Sequence, residues 1–438
     1  MSMVSGQLPT KIGSYDNASS IDPSIPTYAH YLRAAGYETT LAGKMHFIGE
    51  QLHGYESRLT SDIYPGDYGC NQLDYDEEVM YKSKQFLYDH VRKGANTRPF
   101  CMTVSLTHPH DPYTIEKKYW DMYEDVDIPL PDVNIPQEEL DSHSQRLLRV
   151  CDLWGKKFTH DEIKRARRAY FGAVSYVDDC IGKLIQTLKD CRLDQDTIIV
   201  FSGDHGDMLG ERGLWYKMSY FEASVRVPLL VHHPATFKPH RVSSNVSTLD
   251  ILPTLVDIVK SKLWDGLPMD GNSLLPHLEE RSGGSDTVFA EYCGEGTIAP
   301  MMMIRRGDWK YITCPADPDQ LYNLATDPKE IILSDFVAEA KAKWDMEKIT
   351  SDVLISQKQR RLVWSALKQG AFTSWDHNPN DDGREKYIRS HMHLDDLELR
   401  ARYPAVDAKG REMYAGLGGM GAGGMGGVIT GQAGAYGQ

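Results

Sequence analysis

The sequence predicts an α/β protein with a doubly wound, mostly parallel sheet flanked by helices, followed by a smaller C-terminal α+β domain. Two observations lead to this prediction. Apolar, β-branched runs such as 100–106 and 197–200 alternate with helical segments, as is typical of parallel sheets. After about residue 283 the character of the sequence changes, and a hairpin signal appears. A chain of 438 residues is long enough for this division.

Each element of the larger domain has a local signal. Thr27 is an N-cap candidate for a helix that begins at Tyr28, and Gly36 is its stop signal. Strands are predicted at 37–42, 100–106, 197–200 and 227–231. Thr159-x-x-Glu162 forms a capping box that opens a long amphipathic helix. Its predicted apolar face is Ile163, Tyr170, Val177 and Leu184, with Val174, Ile181 and Leu188 beside it.

The C-terminal part carries different signals. Two apolar runs, 301–305 and 309–314, flank Arg306-Gly-Asp308, which predicts a hairpin whose Trp309 belongs to the core of the small domain. We therefore predict domains at 1–283 and 284–405, a helical stretch within the second, and a Gly-rich disordered tail at 406–438.

Composition excludes several classes of function. A net charge of −14 argues against a nucleic-acid surface. No apolar run approaches the roughly 20 residues that span a bilayer, and the first residues lack a signal-peptide pattern. The seven cysteines are scattered without Cys-x-x-Cys, which favours free thiols in a reducing compartment. We expect a cytoplasmic protein without nucleic-acid or membrane partners.

Chemically active side chains follow three of the predicted strands. They are Lys44 with His46, His108 with His110, and Asp204 and His205 with Lys217 nearby. The carboxyl ends of such strands form the functional crevice of an α/β sheet. Each cluster also has a purely structural interpretation. Lys44 could be a solvated surface lysine, His108 and His110 could cap backbone carbonyls in a rigid proline turn, and Asp204 could accept backbone N–H bonds in a polar loop. Taken together, two lysines and imidazoles around a hard divalent cation suit sulfate or phosphate, with a histidine as general acid.

Several stretches together resemble a known family. Residues 5–9, 43–47, 105–113 and 202–210, the last beginning Ser-Gly-Asp-His-Gly-Asp, resemble the formylglycine sulfatases of the alkaline phosphatase superfamily. Residues 299–310, 314–322, 357–364 and 378–404 resemble the choline sulfatases more narrowly. The resemblance implies hydrolysis of a small-molecule sulfuric ester, choline sulfate, to choline and sulfate. It also implies a homo-oligomer.

The same resemblance implies roles for individual residues. Asp204 and His205 would bind a divalent metal, with Ca²⁺ foremost and Mg²⁺ or Mn²⁺ as alternatives. The other implied roles belong to Lys44 and Lys217 on the sulfate oxygens, His46 beside the formylglycine hydrate, His110 rather than His108 as leaving-group acid, and Glu291 and Glu295 on the choline ammonium.

The sequence also departs from the family pattern. The nucleophile motif Cys/Ser-x-Pro-x-Arg, expected just before Ser5, is absent, as is the first strand with its two metal-binding aspartates. An aromatic loop is missing at Gly69-Cys70, and a shorter contraction falls at 327–331. We therefore expect an N-terminally truncated chain that does not hydrolyse choline sulfate at a useful rate. The alternatives are a non-catalytic fragment or pseudo-sulfatase, and a phosphodiesterase or phosphonate hydrolase of the same superfamily.

Overall fold

The computed structural model describes residues 1–15, 21–45, 47, 51–61, 72–94, 97–260, 269–297, 299–314 and 316–331. His46, the Gly69-Cys70 junction, the motifs at 357–364 and 378–404, the predicted C-terminal helical stretch and the predicted tail lie outside these residues. The domain boundaries therefore remain predictions.

A parallel three-stranded sheet forms the first layer. Its strands, in the order β2-β1-β3, are β1 (Glu38–Gly43), β2 (Ser57–Arg58) and β3 (Phe100–Ser105). In the β1–β3 ladder Glu38 pairs with Phe100 and Gly43 with Ser105, so both strands end at the same edge. The predicted strands at 37–42 and 100–106, and with them the α/β fold class, are confirmed.

The described residues form ten α-helices. They are α1 (Ser2–Ser5), α2 (Pro9–Ile12), α3 (Tyr28–Ala34), α4 (Gln72–Arg92), α5 (Lys117–Asp121), α6 (Ser142–Val150), α7 (His160–Asp190), α8 (Glu222–Val225), α9 (Ile251–Val259) and α10 (Leu275–Leu278). Of these, α3 and α4 pack against the parallel sheet. Thr27 caps α3 as predicted. Within the described chain, no helix is long and apolar enough to cross a membrane. No disulfide joins the six cysteines of the described residues.

Glycine at position 43 is required where β1 leaves the sheet. Its φ is +108°, and a Cβ atom there would lie 1.8 Å from the carbonyl oxygen of Ser105. The next residue, Lys44, donates its backbone N–H to that same carbonyl oxygen over 3.1 Å. The close approach therefore fixes Lys44 at the carboxyl end of β3.

The long helix α7 begins as the sequence predicts. Thr159 accepts a hydrogen bond from the Glu162 N–H, and the Glu162 carboxylate accepts one from the Thr159 N–H. The predicted apolar face is partly wrong, since Val174 is 46% exposed and the buried positions include Tyr176 and Cys180. Tertiary packing sets which side of α7 is buried, because the helix packs against both α4 and α5.

Strands β4 (Ile199–Ser202) and β5 (Leu229–His232) form a separate antiparallel pair, with Ser202 opposite Leu229. The predicted strands are present, but the expectation that 197–200 is buried is wrong at Val200. That side chain is 36% exposed, and Leu230 of β5 is 56% exposed. Val200 pairs with Val231 and Phe201 with Leu230, so the two exposed side chains lie on opposite faces of the pair. The carboxyl end of β4 leads directly to Asp204 and His205.

A four-stranded antiparallel sheet follows, in the order β6-β7-β8-β9. Its strands are β6 (Thr287–Tyr292), β7 (Met301–Arg306), β8 (Trp309–Cys314) and β9 (Asp317–Asn323). Arg306 pairs with Trp309, which confirms the predicted hairpin. Met301, Met303 and Ile312 share one core with Trp215 and Tyr216, so this sheet packs on the segment that carries Lys217.

A buried ion network joins the two parts. The ammonium group of Lys310, which is 0% exposed, donates to the Tyr220 carbonyl and the Glu330 carboxylate over 2.8 Å each. It also pairs with Glu222 at 2.5 Å, and the Glu222 N–H donates to Glu330 over 2.8 Å. The antiparallel sheet thereby holds the residues that directly follow Lys217.

This network predicts a large loss of stability when its cation is removed. Lys310→Met leaves the buried Glu330 carboxylate without its ammonium partner, so we expect the free energy of unfolding to fall by about 3 kcal/mol. Lys189→Met, which removes an exposed lysine from the end of α7, is the matched control and is expected to change it by under about 0.5 kcal/mol. Urea denaturation measures both, and equal midpoints would contradict the assignment.

Candidate active site

Three segments that leave strand ends bring charged side chains together. Lys217 donates from Nζ to Nε2 of His110 over 2.7 Å. The His110 ring lies 5.7 Å from the His205 ring, and His205 Nε2 lies 3.6 Å from the Asp204 carboxylate. The positive charge of Lys44 acts on His110, Asp204 and His205. The structure therefore assembles five of the residues that the sequence singled out.

His110 is oriented from both sides of its ring. Its Nδ1 donates to the Asp111 carbonyl over 2.8 Å, while Nε2 accepts from Lys217 over 2.7 Å. Burial, together with the charges of Lys217 and Lys44, lowers the pKa of His110 well below its ordinary value. The imidazole is therefore neutral near pH 7, with Nε2 turned toward the lysine.

Asp204 is the accessible carboxylate of the group. Its side chain is 78% exposed, against 30% for His205. Partial desolvation raises the pKa of Asp204, but the charges of His205, Lys217, His110 and Lys44 together bring it below the ordinary value. Asp204 is therefore ionised and open to a ligand.

Two buried carboxyl groups, Asp111 and Asp207, were not predicted from the sequence. Asp207 accepts hydrogen bonds from the Tyr113 hydroxyl and from the Leu209 N–H over 2.9 Å each, and burial raises its pKa to about 7. Burial also raises the pKa of Asp111, against the opposing charges of Lys217 and Lys44. The sequence signal that could have identified them is their position, since Asp111 follows His110 directly and Asp207 lies three residues after Asp204.

The arrangement suits an anion better than it suits a metal ion on its own. The positive charges of Lys217 and Lys44 act on Asp111, and burial makes Asp111 and Asp207 ionise reluctantly, so positive charge dominates the site. Charge-assisted N–H donors of this kind bind tetrahedral oxyanions. Among the described residues, no three His, Cys, Asp or Glu side chains come together to hold a metal. Asp204 and His205 supply two donors, whereas Ca²⁺ takes six to eight oxygens.

His108 is not brought into this group. Its Nδ1 lies 2.7 Å from the Asp76 carboxylate, and its ring packs 5.0 Å from that of Tyr176. The side chain is buried. The structure thus separates the two histidines of the His-Pro-His sequence.

The two predicted choline-binding glutamates lie in different surroundings. Glu291, on β6, accepts a hydrogen bond from the Thr10 N–H over 3.1 Å. Glu295 accepts one from the Tyr292 hydroxyl over 2.7 Å, and the Tyr292 ring packs 6.1 Å from that of His143.

His143 in turn connects Glu295 with the cationic group. His143 Nε2 bonds the carbonyl of Met218, the residue after Lys217, over 2.6 Å. Both Glu295 and Lys217 also affect the pKa of the buried Cys151 thiol, which burial raises to about 12. Tyr292 and His143 thus connect Glu295 with the segment that carries Lys217.

Comparison with protein-family models gives three matches. The Sulfatase family matches residues 1–261, the family described as Choline sulfatase enzyme C terminal matches 351–403, and N-sulphoglucosamine sulphohydrolase, C-terminal, matches 210–358.

Among curated proteins, a choline-sulfatase of Rhizobium meliloti is 43% identical, over 92% of this chain and 88% of its own. Arylsulfatase K of Rattus norvegicus is 27% identical, over 80% of this chain and 70% of its own.

Solved structures share the fold. A phosphonate monoester hydrolase of Agrobacterium radiobacter superposes with a TM-score of 0.67 at 21% identity, covering 82% of this chain and 85% of its own. A protein solved in complex with its substrate D-glucosamine-2-N,6-O-disulfate gives a TM-score of 0.64 at 21% identity, over 87% and 88% of the two chains. At these identities the likeness establishes the fold.

The donor count at Asp204 and His205 predicts weak metal binding. Because one carboxylate and one imidazole leave most of the Ca²⁺ coordination sphere to water, we expect a dissociation constant of about 1 mM or weaker. Isothermal titration of the 438-residue chain with CaCl₂ measures it, and Asp204→Asn removes the residual signal. Micromolar Ca²⁺ binding would show that further ligands complete the site.

Proposed function

The chain belongs to the sulfatase family, a family that generally uses a divalent metal and formylglycine, and we propose on that basis that its substrate is choline sulfate. The observation that carries the proposal is the contact between Lys217 and His110 beside the exposed carboxylate of Asp204. The substrate is supported by the C-terminal family match at 351–403 and by the 43% identity to the Rhizobium meliloti protein.

Lys217 and Lys44 bind the sulfate oxygens in this proposal. Each ammonium group offers charge-assisted hydrogen bonds, which are about twice as strong as neutral ones. The neutral state of His110 removes a charge that would otherwise repel both lysines. Because an ammonium group has three N–H donors, Lys217 can bind a sulfate oxygen while it keeps its hydrogen bond to His110.

His110 is the proton donor to the leaving alcohol. In the resting state Nε2 accepts a hydrogen bond and carries no proton. The ammonium group of Lys217, 2.7 Å away, therefore first transfers a proton to Nε2 and becomes a neutral amine, and Nε2–H then donates that proton to the leaving oxygen. The hydrogen bond from Nδ1 to the Asp111 carbonyl fixes which nitrogen faces the substrate.

A bound divalent metal would neutralise sulfate charge, and a formylglycine would supply the nucleophilic hydroxyl. Asp204 and His205 are the chain's candidates for the metal, with Ca²⁺ foremost because the exposed carboxylate is a hard oxygen donor. The 438-residue sequence contains no Cys/Ser-x-Pro-x-Arg. We therefore expect these residues alone to bind the substrate without turning it over.

Loss of the Lys217 ammonium is expected to weaken anion binding. Lys217→Met keeps the length of the side chain and removes a charge-assisted bond, so choline sulfate should bind about 10- to 100-fold more weakly. Lys189→Met removes the same charge from an exposed position and should leave affinity unchanged. Isothermal titration calorimetry measures both variants, and equal losses would reduce the effect to overall charge.

The two glutamates make separable predictions. Glu295→Gln should weaken choline sulfate binding by about tenfold, because a buried carboxylate would lose its pairing with the ammonium group. Inorganic sulfate, which has no ammonium group, should bind Glu295→Gln as it binds the parent chain. Glu291→Gln is the matched control with affinities unchanged, and a reversed pattern would assign the ammonium to Glu291.

Turnover is tested by supplying the missing motif. Sulfate release is measured for the 438-residue chain and for the same chain preceded by a segment that contains Cys/Ser-x-Pro-x-Arg. We expect substrate binding by both proteins and turnover by the extended protein alone. Turnover by the 438 residues would disprove their expected inactivity, and an extended, folded protein that neither binds nor hydrolyses choline sulfate would overturn the proposed substrate.

A further inference from the structure

We propose that Gln72 and Asp76, one helical turn apart at the start of α4, are positioning residues that hold the loop 107–111 so that His110 meets Lys217. In this proposal His108 is an anchor of the loop. The significance for catalysis rests on the proposed function of His110, whereas the positioning itself is a property of the fold.

Asp76 holds the first half of the loop. Its carboxylate is 0% exposed and accepts three hydrogen bonds, from the Thr107 N–H over 2.6 Å, the His108 N–H over 3.0 Å and the His108 Nδ1–H over 2.7 Å. A buried carboxylate is costly unless such donors satisfy it. The three donors therefore fix the backbone immediately before His110.

Gln72 holds the second half. Its side-chain amide, on a residue that is 3% exposed, donates to the His110 carbonyl over 3.2 Å and to the Asp111 carbonyl over 2.6 Å. Residues four apart lie on one face of a helix, so Gln72 and Asp76 reach the same loop. The backbone is consequently held on both sides of His110.

These contacts act on the loop backbone and leave the His110 ring free for chemistry. The described hydrogen bonds of that ring go to Asp111 and Lys217. A shift of the loop therefore changes the distance from His110 Nε2 to Lys217 Nζ without altering either side chain. An effect of this kind differs from a loss of stability, which would be similar for any core substitution of equal cost.

The first test is Asp76→Asn, which turns an amide N–H₂ toward groups that donate. We expect inorganic sulfate to bind at least tenfold more weakly and the His110 imidazole resonances to shift, as followed by NMR and assigned with His110→Gln. Leu87→Ala is the matched control, since Leu87 is 0% exposed and lies three turns further along α4. It should lower stability while sulfate affinity and the His110 signal are retained.

The second test separates the two histidines. In His108→Asn the side-chain amide can donate to Asp76 in place of Nδ1–H, so we expect sulfate affinity within twofold of the parent chain and an unchanged His110 signal. His108→Leu removes that donor and should reproduce Asp76→Asn. Loss of binding in His108→Asn with an unmoved His110 would instead place His108 in direct contact with the anion.

The outcomes distinguish this proposal from the proposed function. An unmoved His110 signal in Asp76→Asn, or equal losses in Leu87→Ala, would overturn the positioning role. If Asp76→Asn does not fold, Gln72→Glu, which replaces the donating amide by an accepting carboxylate, carries the same expectation. If the parent chain binds neither sulfate nor choline sulfate, the proposed function fails, and the His110 signal still tests the loop.

Discussion

The contact between Lys217 and His110 depends on two segments that are 107 positions apart in sequence. One follows β3 and is held by α4, while the other follows β4 and is held through Lys310 by the antiparallel sheet. The described contacts that hold both segments come from residues distant in sequence, Asp76 and Lys310. The site is therefore a product of long-range packing.

The electrostatics of the candidate active site follow from the burial of its side chains. Desolvation keeps His110 neutral and makes Asp111 and Asp207 reluctant to ionise, so the lysines retain most of their field for an incoming anion. Asp204 differs because it is exposed and surrounded by positive charge. Asp204 is thus ionised and exposed, whereas Asp111 and Asp207 contribute less negative charge to the site.

Much of this could be read from the sequence, and the rest could not for physical reasons. The capping box at Thr159 and the hairpin at Arg306 depend on neighbouring residues, so local patterns predicted both. Lys44, His110, Asp204, His205 and Lys217 follow strand ends, which made them visible. Gln72 and Asp76 carry no such signal, because a helical glutamine and aspartate look like ordinary surface residues until the loop packs on them. Val174 was misjudged since α7 packs against both α4 and α5.

The ion network at Lys310 couples two segments that are distant in the sequence. Its partners come from the segment after Lys217 and from the end of the antiparallel sheet, so neither side is satisfied alone. A chimera that replaces residues 217–225 without 287–330 would leave a buried charge without its partner. The two stretches therefore have to be exchanged together when the protein is recombined in the laboratory.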